Sequence, residues 1–306
     1  MNKLDGDVRD IFFNNIKKIF IKNNKNYILT NDSDVFALKS LRNNRRFIDA
    51  GVAEQNLINI SAGLAKFNKL PIVYGFCSFL TFRCYEQLRF NIASHNLNVK
   101  IVGIGPGFSF SYDGPTHHGT QDVYLMYLIP EFEIYNLSDN NLANKVSKSI
   151  NKLKGPTYIR IDKGDLNYNK KIKYDLKKGF ELIFKSENKK ILIITTGIIC
   201  KNALNIAEDC KNISVLNFFK FRNFDEIKLI NELKKYKKII IYDESSANGG
   251  VIPIINNFIL KKKLKLNIEY MASLDKQIFL YAKDRDILHQ KLKIGPADLK
   301  RLIGNI

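Results

Sequence analysis

The chemistry legible in this chain of 306 residues centres on one acid, one aromatic series and one histidine loop. Glu54 follows Asp49-Ala50-Gly51-Val52-Ala53 and opens an apolar-periodic stretch. A carboxylate there is placed to act as an acid or a base, although acids at helix starts are also favoured simply by the helix dipole. Downstream, Phe79, Phe82 and Tyr85 recur at i, i+3 and i+6, a spacing that puts them on one helical face. Such a face either forms ordinary core or stacks a heteroaromatic ring. An acid beside it suits an aminopyrimidine, gripped flat and protonated at its edge. The sharpest local signal is Asp113-Gly114-Pro115-Thr116-His117-His118-Gly119, which holds two of the four histidines of the chain. Histidine transfers protons near neutral pH. Arg160 and Lys163, near the end of an apolar run, are placed to clamp a phosphate or carboxylate, or stand there as solvated charges. Gly105-Pro106-Gly107 lacks the spacing of a dinucleotide fingerprint, and Glu244 ahead of Gly249-Gly250 reads as turn and capping chemistry.

The elements that must position these residues alternate between the two periodicities. An amphipathic helix is expected over 7–22, with strands at 27–30 and 47–49, a helix over 54–66, a strand at 71–76 and a helix over 81–94. Val99–Ile104 is a near-continuous apolar strand of the kind buried on both faces of a parallel sheet. The long Gly-rich loop 105–119 follows it, at the strand end where doubly wound sheets bind ligands; loops of this length are otherwise uncommon. A helix over 121–128, a strand at 132–135, a helix over 141–153 and a strand at 157–161 complete the series. A second series has strands at 191–195, 214–217, 239–242 and 268–270, with helices near 200–209, 225–235, 250–260 and 284–304. The expected fold class is α/β with two domains, each a mainly parallel doubly wound sheet flanked by helices. The boundaries are a first domain over 1–165, a linker over 166–178 and a second domain over 179–306.

Composition bounds the function class. No apolar run is long enough to span a membrane, and the N-terminus lacks a signal-peptide pattern. Cys77, Cys84, Cys200 and Cys210 have no metal-ligand or paired spacing and read as reduced thiols of a cytoplasmic protein; no metal site is expected within the chain. The 49 Lys+Arg against 30 Asp+Glu give a formal charge of +19. The lysines are spread over surface helices and turns, and the chain is rich in Asn, Ile and Lys throughout. A compositional bias accounts for the charge, and nucleic-acid binding is not expected.

Taken in order, Asp49-Ala50-Gly51-Val52-Ala53-Glu54-Gln55, Phe79-x-x-Phe82-x-x-Tyr85, Asp113-Gly114-Pro115-Thr116-His117, Thr195-Thr196-Gly197 and Tyr242-Asp243-Glu244 with Gly249-Gly250 resemble the C-terminal half of a transketolase encoded as a separate subunit. The resemblance covers essentially the whole chain. It implies a pyrimidine-binding domain followed by a transketolase C-terminal-like domain, and thiamine diphosphate as cofactor. It further implies that Glu54 hydrogen-bonds the aminopyrimidine ring and drives the tautomer that deprotonates the thiazolium carbon. Phe79, Phe82 and Tyr85 then cradle the pyrimidine, Asp113 reads a sugar hydroxyl, His117 lies near the reacting carbonyl, and Lys163, with Arg160, binds a substrate phosphate. The implied reaction transfers a two-carbon ketol unit between a ketose donor and an aldose or modified sugar acceptor, nucleotide-linked sugars included.

Two departures from the family pattern bear on the substrate. Gly105 stands where many transketolases carry a substrate-binding histidine, and Lys163 stands in place of the usual arginine, which makes a better bidentate clamp. No Gly-Asp-Gly motif with a downstream Asn is present. The resemblance therefore implies that a separate N-terminal subunit supplies Mg2+ (or Ca2+) and the diphosphate site, in an α2β2 assembly with active sites between subunits. Deoxyxylulose-phosphate synthase-like and 2-oxo-acid dehydrogenase β-like subunits are the alternatives within the same chemistry. A non-catalytic paralogue is the alternative outside it, against which the intact Glu54 and aromatic series argue.

Overall fold

Short apolar runs become buried on both faces when helices cover a sheet from each side. The computed structural model arranges them in that way in two separate units, Met1–Pro106 with Leu125–Lys171, and Gly107–Tyr124 with Ile172–Ile306. It describes residues 5–168, 172–210, 212–274 and 276–304. The first unit contains α1 (Val8–Lys22), β1 (Asn26–Thr30), β2 (Phe47–Asp49), α2 (Glu54–Lys66), β3 (Leu70–Phe76), α3 (Cys77–Phe82), α4 (Tyr85–Gln87) and a π-helical turn, Leu88–Ala93. β4 (Lys100–Ile104), α5 (Asp122–Tyr127), whose first turn belongs to the other unit, β5 (Glu133–Asn136), α6 (Asn140–Ser149) and β6 (Thr157–Ile161) follow. Its sheet has the order β2-β1-β3-β4-β6-β5, and every pairing is parallel. All five residues of β4 and of β6 are buried, as expected of central strands.

The second unit contains β7 (Phe180–Phe184), β8 (Ile191–Thr195), α7 (Cys200–Asp209), β9 (Ile213–Phe218), α8 (Glu226–Leu233), β10 (Lys238–Ser246), α9 (Ile252–Lys261), β11 (Ile268–Ser273), α10 (Arg285–Lys291) and α11 (Pro296–Gly304). Its sheet has the order β11-β10-β8-β9-β7. β7 runs antiparallel to β9, and the remaining pairs are parallel. Among the described residues no helix is long and apolar enough to cross a membrane. The four cysteines form no disulfide among the described residues, and Cys77, Cys84 and Cys200 are buried.

Three elements differ from the sequence expectation. β7 has no counterpart in it: Glu181 interrupts the apolar run, and only two of the five β7 residues are buried. The helix expected over 81–94 begins at Cys77 and breaks after Phe82. Thr81 Oγ1 donates to the Cys77 carbonyl at 2.7 Å, a side-chain bond that competes with the helical ladder, and the Arg83 carbonyl accepts from Gln55 Nε2 at 3.0 Å instead of continuing the helix. The single helix expected over 284–304 is two helices. Lys293 sits in the left-handed region at φ 57°, and Pro296, which has no N–H to donate, starts α11. Of the expected linker 166–178, residues 169–171 lie outside the described residues. On either side, the Tyr168 hydroxyl donates to the Ser138 carbonyl in the first unit and the Tyr174 hydroxyl accepts from Asn217 Nδ2 at 3.3 Å in the second.

Lys100, at the start of β4, is a buried cation whose ammonium donates to the Gly155 carbonyl at 2.7 Å and to Thr157 Oγ1 at 3.0 Å. Burial lowers its pKa to about 7, with Glu133 acting weakly the other way. The unfolded lysine has a pKa near ~10.4. Between those values the unfolded chain binds the extra proton, so stability rises with pH from about 7 and is flat below it with respect to this group. Urea unfolding midpoints of the wild type minus those of Lys100→Met should therefore climb between pH 7 and pH ~9.5; a difference constant with pH would contradict the burial argument.

Candidate active site

In an open parallel sheet, ligands bind beyond the carboxyl ends of the strands where the strand order reverses. The chain passes from β1 to β2 on one side and returns to β3 on the other, so β1 and β3 flank such a reversal. Asn31 follows the last residue of β1, and Gly75-Phe76 ends β3. Asp49, the last residue of β2, accepts through Oδ1 from the backbone N–H groups of Asp32 at 2.9 Å and Gly51 at 3.0 Å. That bond ties the ends of β1 and β2 together and turns the chain into α2. Gly51 occupies φ 65°, a conformation open to glycine with little strain.

Glu54 is the first residue of α2 and is 5% exposed. Its Oε1 accepts from Asn31 Nδ2 at 3.0 Å and from an Arg83 guanidinium nitrogen at 3.0 Å. Oε2 takes no hydrogen bond among the described residues. Asn31 is in turn held by Ser33, whose hydroxyl donates to Asn31 Oδ1 at 3.2 Å. Gly75 is required beneath it, because a Cβ there would lie 2.2 Å from Asn31 Oδ1. Neither Asn31 nor Arg83 stood out in the sequence. The signal for Asn31 was its place directly after a strand end, and Arg83 lay inside the aromatic series.

The aromatic residues point away from the core. Buried positions of this segment are Cys77, Ser78, Leu80, Thr81, Cys84 and Leu88, while Phe76, Phe79 and Tyr85 are half-buried and Phe82 is 41% exposed. Phe76 and Phe79 make an edge-to-face pair with ring centres 5.4 Å apart. The Arg83 guanidinium lies 4.0 Å from the Phe79 ring centre. Phe79 and Phe82 share α3, but the break at Arg83-Cys84 places Tyr85 on the separate turn α4, so the single helical face expected for all three is not formed. The arrangement is a buried carboxylate with one oxygen pinned and one open, beside ring surface that the core does not use.

Arg160 is 2% exposed within β6, and Lys163 is exposed beyond its end, its N–H bonded to Asp162 Oδ1 at 2.8 Å. Asp113 and His117 lie on the loop after β4, within the second unit. Asp113 is exposed and His117 half-buried, with Thr116 Oγ1 3.0 Å from His117 Nδ1. The loop is closed at its base by paired backbone bonds between Gly107 and Gly119. His118 is buried edge-to-face against Phe108, ring centres 5.0 Å apart. Burial holds its pKa down at about 4 against the pull of Glu244, so it is neutral at physiological pH. Among the described residues no group of three or more His, Cys, Asp or Glu side chains could hold a metal ion.

Residues 17–169 match the transketolase pyrimidine-binding domain and residues 181–298 the transketolase C-terminal domain. The chain belongs to the transketolase family. It is 30% identical to a 6-deoxy-6-sulfo-D-fructose transketolase subunit of Clostridium sp. (strain MSTE9), over 73% of this chain and 72% of that one. It is 29% identical to an apulose-4-phosphate transketolase subunit of Actinobacillus succinogenes, over 67% of both chains. A solved split-gene transketolase, an inactive β4 tetramer, shares the fold at a TM-score of 0.82 and 20% identity, covering 98% of this chain and 97% of that one. Transketolase from Campylobacter jejuni shares it at a TM-score of 0.76 and 15% identity, with 99% of this chain matching 47% of that one. The chain is thus a transketolase-type transferase subunit of a family that depends on thiamine diphosphate.

Two substitutions separate packing from pairing in this transketolase subunit. Gly75→Ala forces Asn31 off Glu54 and should destabilise the chain by about 1–3 kcal/mol. Arg83→Met removes an ion pair whose arginine is half exposed, and should cost less than ~1 kcal/mol. Denaturant unfolding of both variants checks the order, and a larger loss for Arg83→Met would reverse the assignment.

Proposed function

We propose that this chain is the pyrimidine-binding subunit of a two-component transketolase in which Glu54 is the acid–base group. The observation that carries the reading is the Glu54 carboxylate at the β1/β3 reversal, with Oε1 held by Asn31 and Arg83, Oε2 without a hydrogen bond among the described residues, and Arg83 itself stacked on Phe79. These residues fit the aminopyrimidine half of thiamine diphosphate, a flat ring with a nitrogen at its edge. Phe79, with Phe76, Phe82 and Tyr85 around it, would take the ring face, and Glu54 Oε2 would hold or accept a proton at the ring nitrogen. Bound thiamine diphosphate supplies the electron sink that lets a carbon–carbon bond of a ketose break and re-form. Asn31 fixes the plane of the Glu54 carboxylate, so that the proton is met in one orientation, which is the usual source of rate in positioned acid–base groups.

Asp113 and His117 are assigned to the sugar, Asp113 to a hydroxyl and His117 near the reacting carbonyl. Lys163, with Arg160 three residues before it, is assigned to the anionic end of the substrate. A separate subunit carrying Mg2+ and the diphosphate site completes the enzyme as an α2β2 assembly, a reading supported by relatives that are themselves named as subunits. A modified sugar is the favoured substrate class. Gly105, where many transketolases have a histidine, adopts φ 79°, so the backbone itself disfavours a side chain there. The relatives named above act on a sulfonated ketose and on apulose 4-phosphate.

Glu54→Gln in the reconstituted complex should lower turnover by at least ~100-fold while the chain stays folded by circular dichroism; unchanged turnover removes Glu54 from the chemistry. In calorimetry the isolated chain should bind thiamine diphosphate weakly. Addition of the partner should produce tight, Mg2+-dependent binding. Tight metal-dependent binding by the isolated chain would overturn the two-component reading. Turnover with ketose donors but not with pyruvate separates this activity from a deoxyxylulose-phosphate synthase.

A further inference from the structure

The second sheet has its own reversal of strand order, between β8 and β10, the place where doubly wound sheets commonly bind ligands, and here the chain itself packs against it. β10 last pairs with β8 at Tyr242–Thr195, and Glu244 lies two residues further along. Glu244 is buried, and its Oε1 meets Arg285 Nε at 2.7 Å and His289 Nε2 at 2.7 Å, while Oε2 accepts from a second Arg285 nitrogen at 3.2 Å. Burial alone would raise the carboxyl pKa; Arg285 and His289 outweigh it and hold the group at about 2, ionised. The backbone N–H of Phe108 also donates to this carboxylate. Gly107 is pressed so close that a Cβ would lie 1.8 Å from Glu244 Oε2.

Three further anchors hold the loop to this unit. The Phe108 ring is fully buried in a cluster with Ile278, Ala282, Leu288, Leu292 and Ile294. Ala282 N–H donates to the Ser111 carbonyl at 3.2 Å. At the far end, Ser246 N–H donates to the Thr120 carbonyl at 3.0 Å and Tyr124 N–H to the Gly249 carbonyl at 2.9 Å. Asp113 and His117 lie between these anchors.

We propose that the transketolase C-terminal-like domain is the mount of the substrate loop, with Glu244, Arg285 and His289 as positioning residues that set Asp113 and His117 from the crevice where other doubly wound domains hold a ligand. The claim rests on the sugar-binding role given to Asp113 and His117. A carboxylate buried against two cationic or hydrogen-bonding partners has one favourable geometry, because loss of either partner leaves charge uncompensated. The loop base inherits that geometry through Phe108 N–H and Gly107.

The test uses the full chain in complex with its partner subunit. Arg285→Met should speed hydrogen exchange of the 107–119 backbone by about tenfold or more. It should also raise the sugar KM by roughly 10-fold to 100-fold, with thiamine diphosphate affinity within twofold of wild type by calorimetry. Arg285→Lys, which keeps the charge but not the fork, should fall between. Gly107→Ala perturbs the same contact from the loop side and should reproduce the effect even where Arg285→Met does not fold. Unchanged exchange in both Arg285→Met and Gly107→Ala overturns the mount. So does a sugar KM that moves only together with cofactor affinity. Exchange reads the loop whether or not the chain is catalytic, so failure of the mount is distinct from failure of the Glu54 assignment.

Discussion

The parallel register of the first sheet is the constraint on which the site depends. When every strand runs the same way, every connection that leaves a carboxyl end emerges on the same edge. Asn31 after β1, Glu54 after β2, Phe79 after β3 and the loop after β4 all leave from that edge, although more than seventy residues of sequence separate Asn31 from Ile104. The strand order then selects one place along it. Because β1 has β2 on one side and β3 on the other, the connections leaving β1 and β3 diverge, and backbone groups line an opening between them. Asn31 and Gly75 stand at that opening. Glycine is needed there because the Asn31 amide occupies the space of a Cβ.

At this opening orientation outweighs energy. The Arg83–Glu54 pair has one partner 49% exposed on its side chain, and ion pairs of that kind contribute at most ~1 kcal/mol. Its effect is geometric: two donors hold Oε1, while Oε2 takes no hydrogen bond among the described residues. The guanidinium is a planar cation that stacks on Phe79 while it bonds to Glu54. Its partly solvated position means that it can move without a large loss of stability.

The second unit uses the same α/β logic for a different end. Its β8/β10 reversal holds a buried carboxylate paired with an arginine and a histidine. Gly107 and Phe108 pack against it, so the loop that leaves β4 is folded as part of the second unit. That relation reconciles the sequence-based view of Glu244 as turn chemistry with its burial: the residue does shape a turn, but the turn belongs to a loop more than a hundred residues earlier in the chain.

Local pattern carried much of this protein. The β4 and β6 runs have apolar centres because central parallel strands are covered on both faces, with Lys100, Thr157 and Arg160 buried among them, and the α2 boundaries follow from the Gly51 turn and the apolar period after Glu54. Periodicity failed where a side chain from elsewhere decided the backbone. Gln55 captures the Arg83 carbonyl and helps end α3, which separates Tyr85 from Phe79 and Phe82. β7, only two of whose five residues are buried, holds its place at the sheet edge by pairing antiparallel with β9. Asn31, Arg83, Arg285 and His289 did not stand out because each takes its role from a partner distant in sequence, 23, 29, 41 and 45 residues away. The sequence alone thus determined the two-domain α/β class and the family, and pointed to Glu54 as the candidate acid. Only the tertiary structure decided which oxygen of that acid is open, and which unit holds the histidine loop.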